Sequence, residues 1–425
     1  LGLACKLYPV IENSLAEASP QGCWIDSGQV YEFITRLAWR FSDSGLGVIL
    51  PPGLSQREGW ASRLGLRIKA NTPRGKNQVK IGLKSLLNFK WELSLGGQSL
   101  SKAEFERLVA KKSPLVEVNG EWVELRERDI KAAQAFFASR KEEMTLSLED
   151  ALRLSTGDSQ TIERLPVVDF EAGGKLADLL TALTDNRTID AIATPPTFKG
   201  ELRPYQARGA GWLNFLQEWG LGACLADDMG LGKTIELMAF LLHLQLEKTL
   251  INPVLLVCPT SVLGNWEREV KRFGPSLKTL VHHGDKRAKG KAFPPAIKGK
   301  NLVITSYALT YRDQSELQSV KWQGVVLDEA QNIKNPEAKQ SKTVKTLEAD
   351  FKIALTGTPV ENRLSELWSI LEFLNPGYLG QRPFFQRRFA IPIEKYGDTE
   401  SLQILRSLVQ PFILRRLKTD KDIIQ

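Results

Sequence analysis

A glycine-rich stretch near the middle of the chain contains the residue types that bind phosphate. It reads Asp227-Asp228-Met229-Gly230-Leu231-Gly232-Lys233-Thr234. Glycines let backbone N–H groups close around phosphate oxygens, the Lys233 ammonium can neutralise β- and γ-phosphates, and the Thr234 hydroxyl can bind Mg²⁺. The usual phosphate-binding pattern has glycine where Asp227 stands, but both glycines nearest Lys233 are present. With a helix predicted from Thr234, the stretch indicates a nucleoside triphosphate site.

Two adjacent carboxylates follow later in the chain. Asp328 and Glu329 come directly after the apolar run 324–327, which is typical of a buried strand. Ligands of open parallel sheets bind at the C-terminal ends of strands, and successive side chains of a strand point in different directions. We therefore predict two roles. Asp328 joins the Mg²⁺ shell and Glu329 orients an attacking water, as phosphoryl transfer requires.

Two further motifs are weaker when taken alone. The run 355–359 closes another strand with Thr356 and Thr358, whose hydroxyls could hydrogen-bond Glu329 or the γ-phosphate. An ordinary transition from strand to turn is the alternative. The run 202–206 precedes the glycine-rich stretch, and the amide of its Gln206 could pair with adenine N6 and N7 as donor and acceptor.

The elements that must position these residues follow from the pattern of the second half. Short apolar, often β-branched runs recur between helical stretches, at 223–226, 254–258, 302–305, 325–327 and 353–355. This alternation predicts an α/β fold with a parallel sheet covered by helices on both faces. Proline at 195 and 196 resists both helix and central strand. We therefore predict domains at 1–194 and 195–425.

The first half shows amphipathic segments and turns but no catalytic signature. The Asn119-Gly120 pair between apolar alternations predicts a hairpin, and Ser101 with Glu104 predicts a capped helix start. Apolar residues at helical spacing predict a second helix on Ile130, Ala133 and Phe137. This half is expected to be a mixed α+β domain. Its tryptophans are expected in the core rather than stacked on nucleobases: Trp24, Trp39, Trp60, Trp91 and Trp122.

Composition limits the class of protein without deciding its function. Of 425 residues, 42% are apolar and 25% charged, which is typical of a soluble globular protein with two or three domains. The net charge of +8 has the right sign for a DNA-binding protein. The four cysteines form no CxxC pair and the three histidines have no zinc spacing, so a reducing cytoplasm fits best. No apolar run reaches membrane-helix length, no secretory signal is readable, and the absent initial Met suggests a fragment.

Taken in order, the motifs resemble the first motor lobe of the Swi/Snf family in helicase superfamily two. The resemblance covers roughly 200–420 and depends on Gln206, the 227–234 stretch, Val257-Cys258-Pro259-Thr260, Thr305-Ser306-Tyr307, Asp328-Glu329-Ala330-Gln331, and Leu355-Thr356-Gly357-Thr358-Pro359 with Asn362. DEAD-box RNA helicases are less similar at Gln331 and at 355–359. The resemblance implies a RecA-like lobe at 195–425. The first half weakly resembles the accessory domain that precedes the motor in bacterial members.

What the resemblance implies is an ATP-driven translocase that moves along double-stranded DNA without separating the strands, with ATP and Mg²⁺ as cofactors. The catalytic residues are then Lys233, Asp328 and Glu329, with Thr234 and Asp328 on the metal. The nucleotide contacts are Arg203, Gln206, Asp227, Asp228, Met229, Gly230, Leu231, Gly232, Lys233 and Thr234. Coupling is assigned to Gln331, Thr356, Gly357, Thr358 and Asn362, and sequence-independent contact with the DNA backbone to Pro259, Thr260, Thr305 and Ser306.

In this family a second RecA-like lobe supplies an arginine that stabilises the transition state. No motif of that lobe follows the 411–416 run, which resembles the end of the first lobe. We therefore expect Mg-ATP and DNA binding with weak hydrolysis, in a bacterial cytosol or nucleoid. Arg415 and Arg416 stand where a linker to that lobe is expected, and we expect them to form a basic helix end rather than to replace the missing arginine. A strand-separating helicase and a nucleotide-gated DNA- or protein-binding module without motor activity stay open alternatives, as do the pathway and any protein partner of 1–194.

Overall fold

A computed structural model of the chain describes residues 2–50, 64–71, 86–95, 97–118, 121–138, 144–156, 161–162, 164–184, 189–357 and 363–420. The chain separates into two compact units. The first holds most of the described chain before residue 147 and the strands between 161 and 173. The second holds 147–156 and the chain from 177 onward. The predicted domain boundary after Thr194 stays a prediction.

The first unit is built on a mixed sheet. Its strands follow the order β3-β2-β1-β8-β7, with β6 also paired to β2. Strand β1 is antiparallel to β2 and parallel to β8, which confirms the mixed α+β character. The helices are α1 Gly2–Leu7, α2 Ser27–Glu32, α3 Ala38–Asp43, α4 Lys102–Ala110 and α5 Glu127–Ala138; the strands are β1 Gly65–Asn71, β2 Leu86–Leu95, β3 Gln98–Leu100, β4 Leu115–Val118, β5 Glu121–Glu124, β6 Met144–Ser147, β7 Thr161–Ile162 and β8 Leu165–Gly173.

The local predictions for this unit are confirmed in their main points. Strands β4 and β5 pair antiparallel with Val118 opposite Glu121, so they form the predicted hairpin; its Asn119-Gly120 turn lies outside the described residues. The Ser101 hydroxyl accepts from the Glu104 amide, and the Glu104 carboxylate accepts from the Ser101 amide at 2.8 Å, which caps α4. Helix α5 forms where predicted, although Phe136 rather than Phe137 is fully buried.

The prediction that the tryptophans lie in the core is wrong for two of them. Trp24 is 100% exposed and Trp39 is 55% exposed. Trp24 precedes α2 in a non-helical stretch, and Trp39 faces outward on α3, where the Arg40 guanidinium lies 5.4 Å from its ring. Trp91 and Trp122 are partly buried, and Trp60 lies outside the described residues.

The second unit contains a seven-stranded sheet in the order β11-β12-β10-β13-β14-β9-β15, in which every neighbouring pair is parallel. Its strands are β9 Ala223–Leu225, β10 Val254–Cys258, β11 Thr279–Val281, β12 Leu302–Ser306, β13 Trp322–Asp328, β14 Ala349–Leu355 and β15 Ile413–Leu414. Its helices are α6 Leu148–Ser155, α7 Lys175–Thr184, α8 Pro204–Glu218, α9 Lys233–Leu246, α10 Leu263–Phe273, α11 Phe293–Ile297, α12 Tyr307–Arg312, α13 Gln314–Gln318, α14 Lys339–Lys345, α15 Leu364–Leu374, α16 Arg382–Phe385, α17 Ile391–Tyr396 and α18 Thr399–Val409. This is the RecA-like α/β architecture that the sequence predicts.

All five predicted strand runs form strands of this sheet. Every residue of β10 and β12 is buried, as expected for strands covered on both faces. The core includes the fully buried rings of Phe293, Trp322 and Phe373. Two strands, β11 and β15, were not predicted, because each is only two or three residues long and partly exposed. None of the helices in the described ranges is both long enough and apolar enough for a membrane span.

The register of three strands brings the predicted motifs to one edge. Asp328 at the end of β13 is paired with Leu355 at the end of β14, and Leu355 is paired in turn with Leu225 at the end of β9. The chain that follows each of these strands therefore leaves the sheet at the same level. The glycine-rich loop, the two carboxylates and Thr356 become neighbours in space although up to about 130 residues separate them in sequence.

Candidate nucleotide-binding site

The loop between β9 and α9 has a shape that depends on its two glycines. Gly230 and Gly232 have φ angles of 88° and 91°, in the left-handed region that glycine adopts without strain. A Cβ on Gly232 would lie 2.5 Å from Nε2 of Gln206, so the close approach of these two segments also requires glycine. The loop leads directly into α9, so the N-terminal end of that helix lies next to the loop. These features fit a phosphate cradle.

Lys233 is the first residue of α9, one residue before the predicted helix start. Its ammonium donates to the carbonyl oxygens of Asp227 at 2.6 Å and Asp228 at 3.4 Å. The ammonium of Lys233 therefore lies at the start of the glycine-rich loop, next to Asp227 and Asp228. Thr234 follows in the first turn of the helix and is partly buried.

Asp328 is held by two donors, neither of which was predicted. The Trp266 indole N–H donates to Oδ2 at 2.7 Å, and the backbone N–H of Glu329 donates to Oδ1 at 2.9 Å. Burial raises the pKa of Asp328, and the indole hydrogen bond opposes that shift. Tyr307 donates its hydroxyl to the Asp328 carbonyl at 2.7 Å, and burial raises the pKa of that hydroxyl well above its usual range. The carboxylate is thus fixed in one orientation.

Glu329 has an unusual backbone conformation. Its φ of 49° and ψ of 56° are left-handed, which costs a non-glycine residue about 1–3 kcal/mol. Its carboxylate accepts a hydrogen bond from the Gln331 amide at 2.6 Å, and the Thr356 hydroxyl donates to the other end of that amide at 2.9 Å. Thr356 therefore reaches Glu329 through Gln331 and not by the predicted direct hydrogen bond.

The turn after β14 lies next to the glycine-rich loop. A Cβ on Gly357 would lie 3.4 Å from Cγ of Met229. Met229 is itself 71% exposed, so its side chain stands at the surface of the loop. Thr358 and Asn362, the other residues assigned to coupling, lie outside the described residues.

Gln206 packs against the glycine-rich loop from α8. Its amide oxygen accepts from the Arg203 backbone N–H at 3.0 Å, and its amide nitrogen donates to the Leu231 carbonyl at 3.2 Å. The Tyr205 hydroxyl donates to the same carbonyl at 2.9 Å. Both polar ends of the Gln206 side chain thus bind the chain itself, and adenine recognition by Gln206 and Arg203 stays a prediction.

The expectation that Arg416 lies in a linker or at a helix end is wrong. Strand β15 pairs with β9 along the sheet edge and places the Arg416 guanidinium beneath the glycine-rich loop. Nε lies 3.1 Å from each carboxylate oxygen of Asp227, and Nη2 lies 2.6 and 2.7 Å from those of Glu236. Nη1 donates to the Tyr205 carbonyl at 2.5 Å.

The two carboxylates of this cluster are completely buried. Burial raises the pKa of Glu236 to about 8, against the opposing charge of Arg416. Burial alone would lower the pKa of Arg416, but the hydrogen bonds with Asp227 and the charge of Glu236 raise it, so the guanidinium stays charged. The Asp227 side chain therefore faces Arg416, and its predicted nucleotide contact can involve only its backbone. No local sequence signal indicates the cluster, since its members are up to 211 residues apart.

The residues predicted to contact DNA do not share one environment. Thr260 is exposed in a 3₁₀ turn after β10, and Pro259 before it is partly buried. Thr305 and Ser306, in contrast, are 0% and 1% exposed because they close β12, a strand whose residues are all buried. The Thr305 hydroxyl donates inward to the His282 carbonyl at 3.1 Å. Their side chains are therefore not available for the predicted contact with a DNA phosphate.

Comparison with known proteins finds family models that match both parts of the chain. The family model described as SNF2-related domain matches residues 205–423, and one described as SNF2 helicase protein matches 18–156. The chain is 39% identical over 414 residues to YwqA of Bacillus subtilis, whose name describes an ATP-dependent helicase/translocase. It is 36% identical over 314 residues to the chromatin-remodeling ATPase INO80 of Arabidopsis thaliana.

The structure is also similar to the SWI2/SNF2 ATPase core of Sulfolobus solfataricus in complex with double-stranded DNA. The TM-score is 0.51 and the sequence identity 45%, over 56% of this chain and 48% of that one. The matches cover 94% of this chain but 44% of YwqA, and 71% of this chain but 21% of INO80. The chain thus spans less than half the length of these relatives. With the parallel sheet, the glycine-rich loop and the paired carboxylates in place, the match over 205–423 shows that the chain belongs to the SNF2 family of ATPases.

Proposed function

We propose that this chain is the accessory and first-lobe part of an ATP-driven translocase on double-stranded DNA, and that it binds Mg-ATP at the β9–α9 loop. The observation that carries the proposal is the meeting of three motifs at one sheet edge. The loop, the carboxylates of Asp328 and Glu329, and the Gln331–Thr356 pair follow strands whose last residues are in register.

The residues at this edge divide the work of binding. Lys233 takes the β- and γ-phosphates, and backbone N–H groups of the loop surround them, apart from that of Asp228, which donates to the Arg416 carbonyl. Gln206 with Arg203 contacts adenine. Thr234 and Asp328 hold Mg²⁺, which when bound offsets the negative charge of the phosphates. Glu329 orients water with a carboxylate that the Gln331 amide already positions.

The hydrogen-bonded pair Gln331–Thr356 suits a coupling role. It joins the water-orienting Glu329 to the end of β14, whose following turn lies against Met229 of the loop. A change at the γ-phosphate position can therefore reach a neighbouring strand through two hydrogen bonds. We assign Gly357, Thr358 and Asn362 to the same link.

We further propose that these 425 residues hydrolyse ATP slowly. An arginine that stabilises the transition state accelerates phosphoryl transfer by about a thousandfold or more. Arg416 is the arginine packed beneath the loop, and its guanidinium is already bound to Asp227, Glu236 and the Tyr205 carbonyl. It is therefore not positioned to act on the γ-phosphate.

DNA is the proposed track. The Sulfolobus core was solved with double-stranded DNA, and the turn at Pro259 and the exposed Thr260 lies at the same C-terminal edge of the sheet as the nucleotide site. Contact with backbone phosphates there would be independent of sequence and sensitive to salt. A bacterial cytosol fits the free cysteines among the described residues and the likeness to YwqA.

Nucleotide binding by the 425-residue chain tests this proposal. An N-methylanthraniloyl derivative of ATP should bind in the presence of Mg²⁺, and Lys233→Ala should weaken binding by about tenfold or more, because the ammonium that contacts the phosphates is lost. Lys298→Ala, which removes an exposed lysine on another surface, serves as control. Absence of Mg²⁺-dependent binding, or equal affinity of wild type and Lys233→Ala, would contradict the proposal.

The kind of motor is tested in a protein as long as these relatives, because this chain spans less than half their length. Displacement of a triplex-forming strand without unwinding of a duplex is the expected result for a translocase. Unwinding would instead identify a strand-separating helicase. A Glu329→Gln variant of that longer protein that retained its full biological activity would favour a nucleotide-gated binding module.

A further inference from the structure

A segment far along the chain forms one side of the nucleotide loop. From the end of β15, the backbone of Leu414 and Arg416 pairs with the backbone of the loop. The Ala226 N–H donates to the Leu414 carbonyl at 2.8 Å, and the Asp228 N–H donates to the Arg416 carbonyl at 3.1 Å. The loop is therefore not held by its own two ends alone.

Side chains of the loop complete this pairing. Asp227 accepts the Arg416 backbone N–H at 2.9 Å, and Asp228 accepts the Lys418 backbone N–H at 3.1 Å. The Lys418 ammonium lies over the loop, 3.6 Å from where a Cβ on Gly230 would stand. The side chains of both loop aspartates, Asp227 and Asp228, thus bind the 414–418 segment.

The guanidinium of Arg416 ties three elements together. It bridges Asp227 in the loop, Glu236 in the first turn of α9 and the Tyr205 carbonyl in α8. The two carboxylates are fully buried, and Arg416 retains 13% of its side-chain exposure. Removing one partner from such a cluster leaves a buried charge without compensation.

The cluster gives a reason for the departure of this loop from the usual pattern. Glycine usually stands where Asp227 stands, yet here the Asp227 carboxylate receives Arg416 while its carbonyl receives the Lys233 ammonium at 2.6 Å. A glycine would keep the carbonyl but lose the anchor. The position of the phosphate-binding lysine therefore depends, through Asp227, on a residue 183 positions further along the chain.

We propose that Arg416 is a positioning residue of the nucleotide site, which holds the loop and Lys233 in their binding geometry through Asp227 and Glu236 without touching the nucleotide. This inference rests on the proposed function, since it concerns the same Mg-ATP site. It predicts that affinity for Mg-ATP depends on a group outside the phosphate cradle.

The test compares Arg416→Gln, Arg416→Lys and Asp227→Asn with the wild-type 425-residue chain. Affinity for the N-methylanthraniloyl derivative of ATP with Mg²⁺ is measured at low temperature, after circular dichroism has shown that each variant is folded. Arg416→Gln should weaken binding by about tenfold or more, because small displacements of binding groups have large effects. The affinity of Arg416→Lys should lie between those of the wild type and Arg416→Gln. The neighbouring exposed Arg415, changed to Gln, is the matched control and should bind as the wild type does.

A second readout separates positioning from simple stabilisation. In nucleotide-free protein, hydrogen exchange of the backbone amides of 228–234 should be faster in Arg416→Gln than in Arg415→Gln. Folded Arg416 variants with a lower unfolding temperature but unchanged affinity would overturn the proposal, because Arg416 would then only stabilise the fold. If Arg416→Gln does not fold, Arg416→Lys and Asp227→Asn decide by the same criteria.

The two proposals can fail separately. If the wild-type chain binds no Mg-ATP, the proposed function fails, and the exchange measurement still tests whether Arg416 orders the loop. If the wild type binds and all Arg416 and Asp227 variants bind equally well, only the positioning role is overturned.

Discussion

The nucleotide edge and the turns predicted to face DNA lie at the same end of one sheet, yet the chain holds them differently. At the nucleotide edge, the Trp266 indole holds the Asp328 carboxylate, and the buried carboxylates of Asp227 and Glu236 bind the Arg416 guanidinium. At the predicted DNA surface, Thr260 is exposed, whereas Thr305 is buried in its strand. Preorganised contacts suit a ligand of fixed shape, while an exposed turn suits a uniform phosphate backbone.

The strongest test of this contrast concerns the loop glycines. Gly232→Ala places a Cβ 2.5 Å from the Gln206 amide and forces alanine to a φ of 91°. We expect affinity for Mg-ATP to fall by about a hundredfold, since both the backbone conformation and Gln206 must shift. Gly264→Ala in α10 is the control, because nothing lies within 4 Å of its Cβ position. Titration of the fluorescent nucleotide measures both, and equal affinities would show that the loop is not preorganised.

Trp266→Phe removes one hydrogen bond to Asp328 while retaining most of the buried ring. We expect Mg²⁺-dependent nucleotide binding to weaken by about tenfold, because a hydrogen bond to a charged group contributes about 1.5–3 kcal/mol. Trp368→Phe also removes one indole hydrogen bond, to the Gly380 carbonyl at 3.0 Å, and is the matched control. A Mg²⁺ titration at fixed nucleotide should separate the two variants. Identical Mg²⁺ dependence of the two variants would mean that Asp328 does not need the Trp266 hydrogen bond to bind Mg²⁺.

Lys352 offers a test away from both regions. Burial lowers the pKa of Lys352 from 10.5 to about 8, so between those values the unfolded chain binds more protons and stability rises with pH. Below pH 8 the lysine is charged in both states and its burial costs free energy. Lys352→Met should therefore raise the free energy of unfolding by about 1 kcal/mol at pH 7 and flatten the rise between pH 8 and 10.5. Chemical denaturation at several pH values measures this, with exposed Lys298→Met expected to change little.

The smallest effect is expected at the DNA surface. Thr260→Ala removes one exposed hydroxyl and should weaken binding of a DNA duplex by about twofold at low salt, leaving folding unchanged. Thr305→Val removes a buried hydroxyl that donates to the His282 carbonyl; it should lower stability by about 1 kcal/mol without changing DNA affinity. Fluorescence anisotropy with a labelled duplex compares them. A larger loss of DNA binding for Thr305→Val than for Thr260→Ala would reverse the contrast.

Much of the nucleotide edge could be predicted because its signals are local. Glycines beside Lys233, and carboxylates directly after an apolar run, specify both the residue types and the end of the strand where they lie. The five central strands were predicted for the same reason, since runs buried on both faces are continuous in sequence. The hairpin and the capped helix of the first unit depend on neighbouring residues in the same way.

The supporting groups could not be predicted, because they come from distant parts of the chain. Trp266 and Asp328 are 62 residues apart, and Arg416 and Asp227 are 189 apart. A tryptophan on the apolar side of a helix or a pair of arginines after a short strand gives no indication of its partner. The burial of Thr305 and Ser306 was missed for a related reason: it depends on the helices that cover the sheet and not on the strand itself.

Strand β15 has a consequence for any experiment that shortens the chain. It is the last strand of the sheet and covers the open side of β9, whose three residues are all buried. A chain that ends before Ile413 would present an apolar strand with unpaired N–H and C=O groups to solvent, which is a template for pairing between molecules. Such a shortened protein is expected to aggregate even though every predicted catalytic residue is retained. Light scattering of chains ending on either side of 413–418 would show this directly.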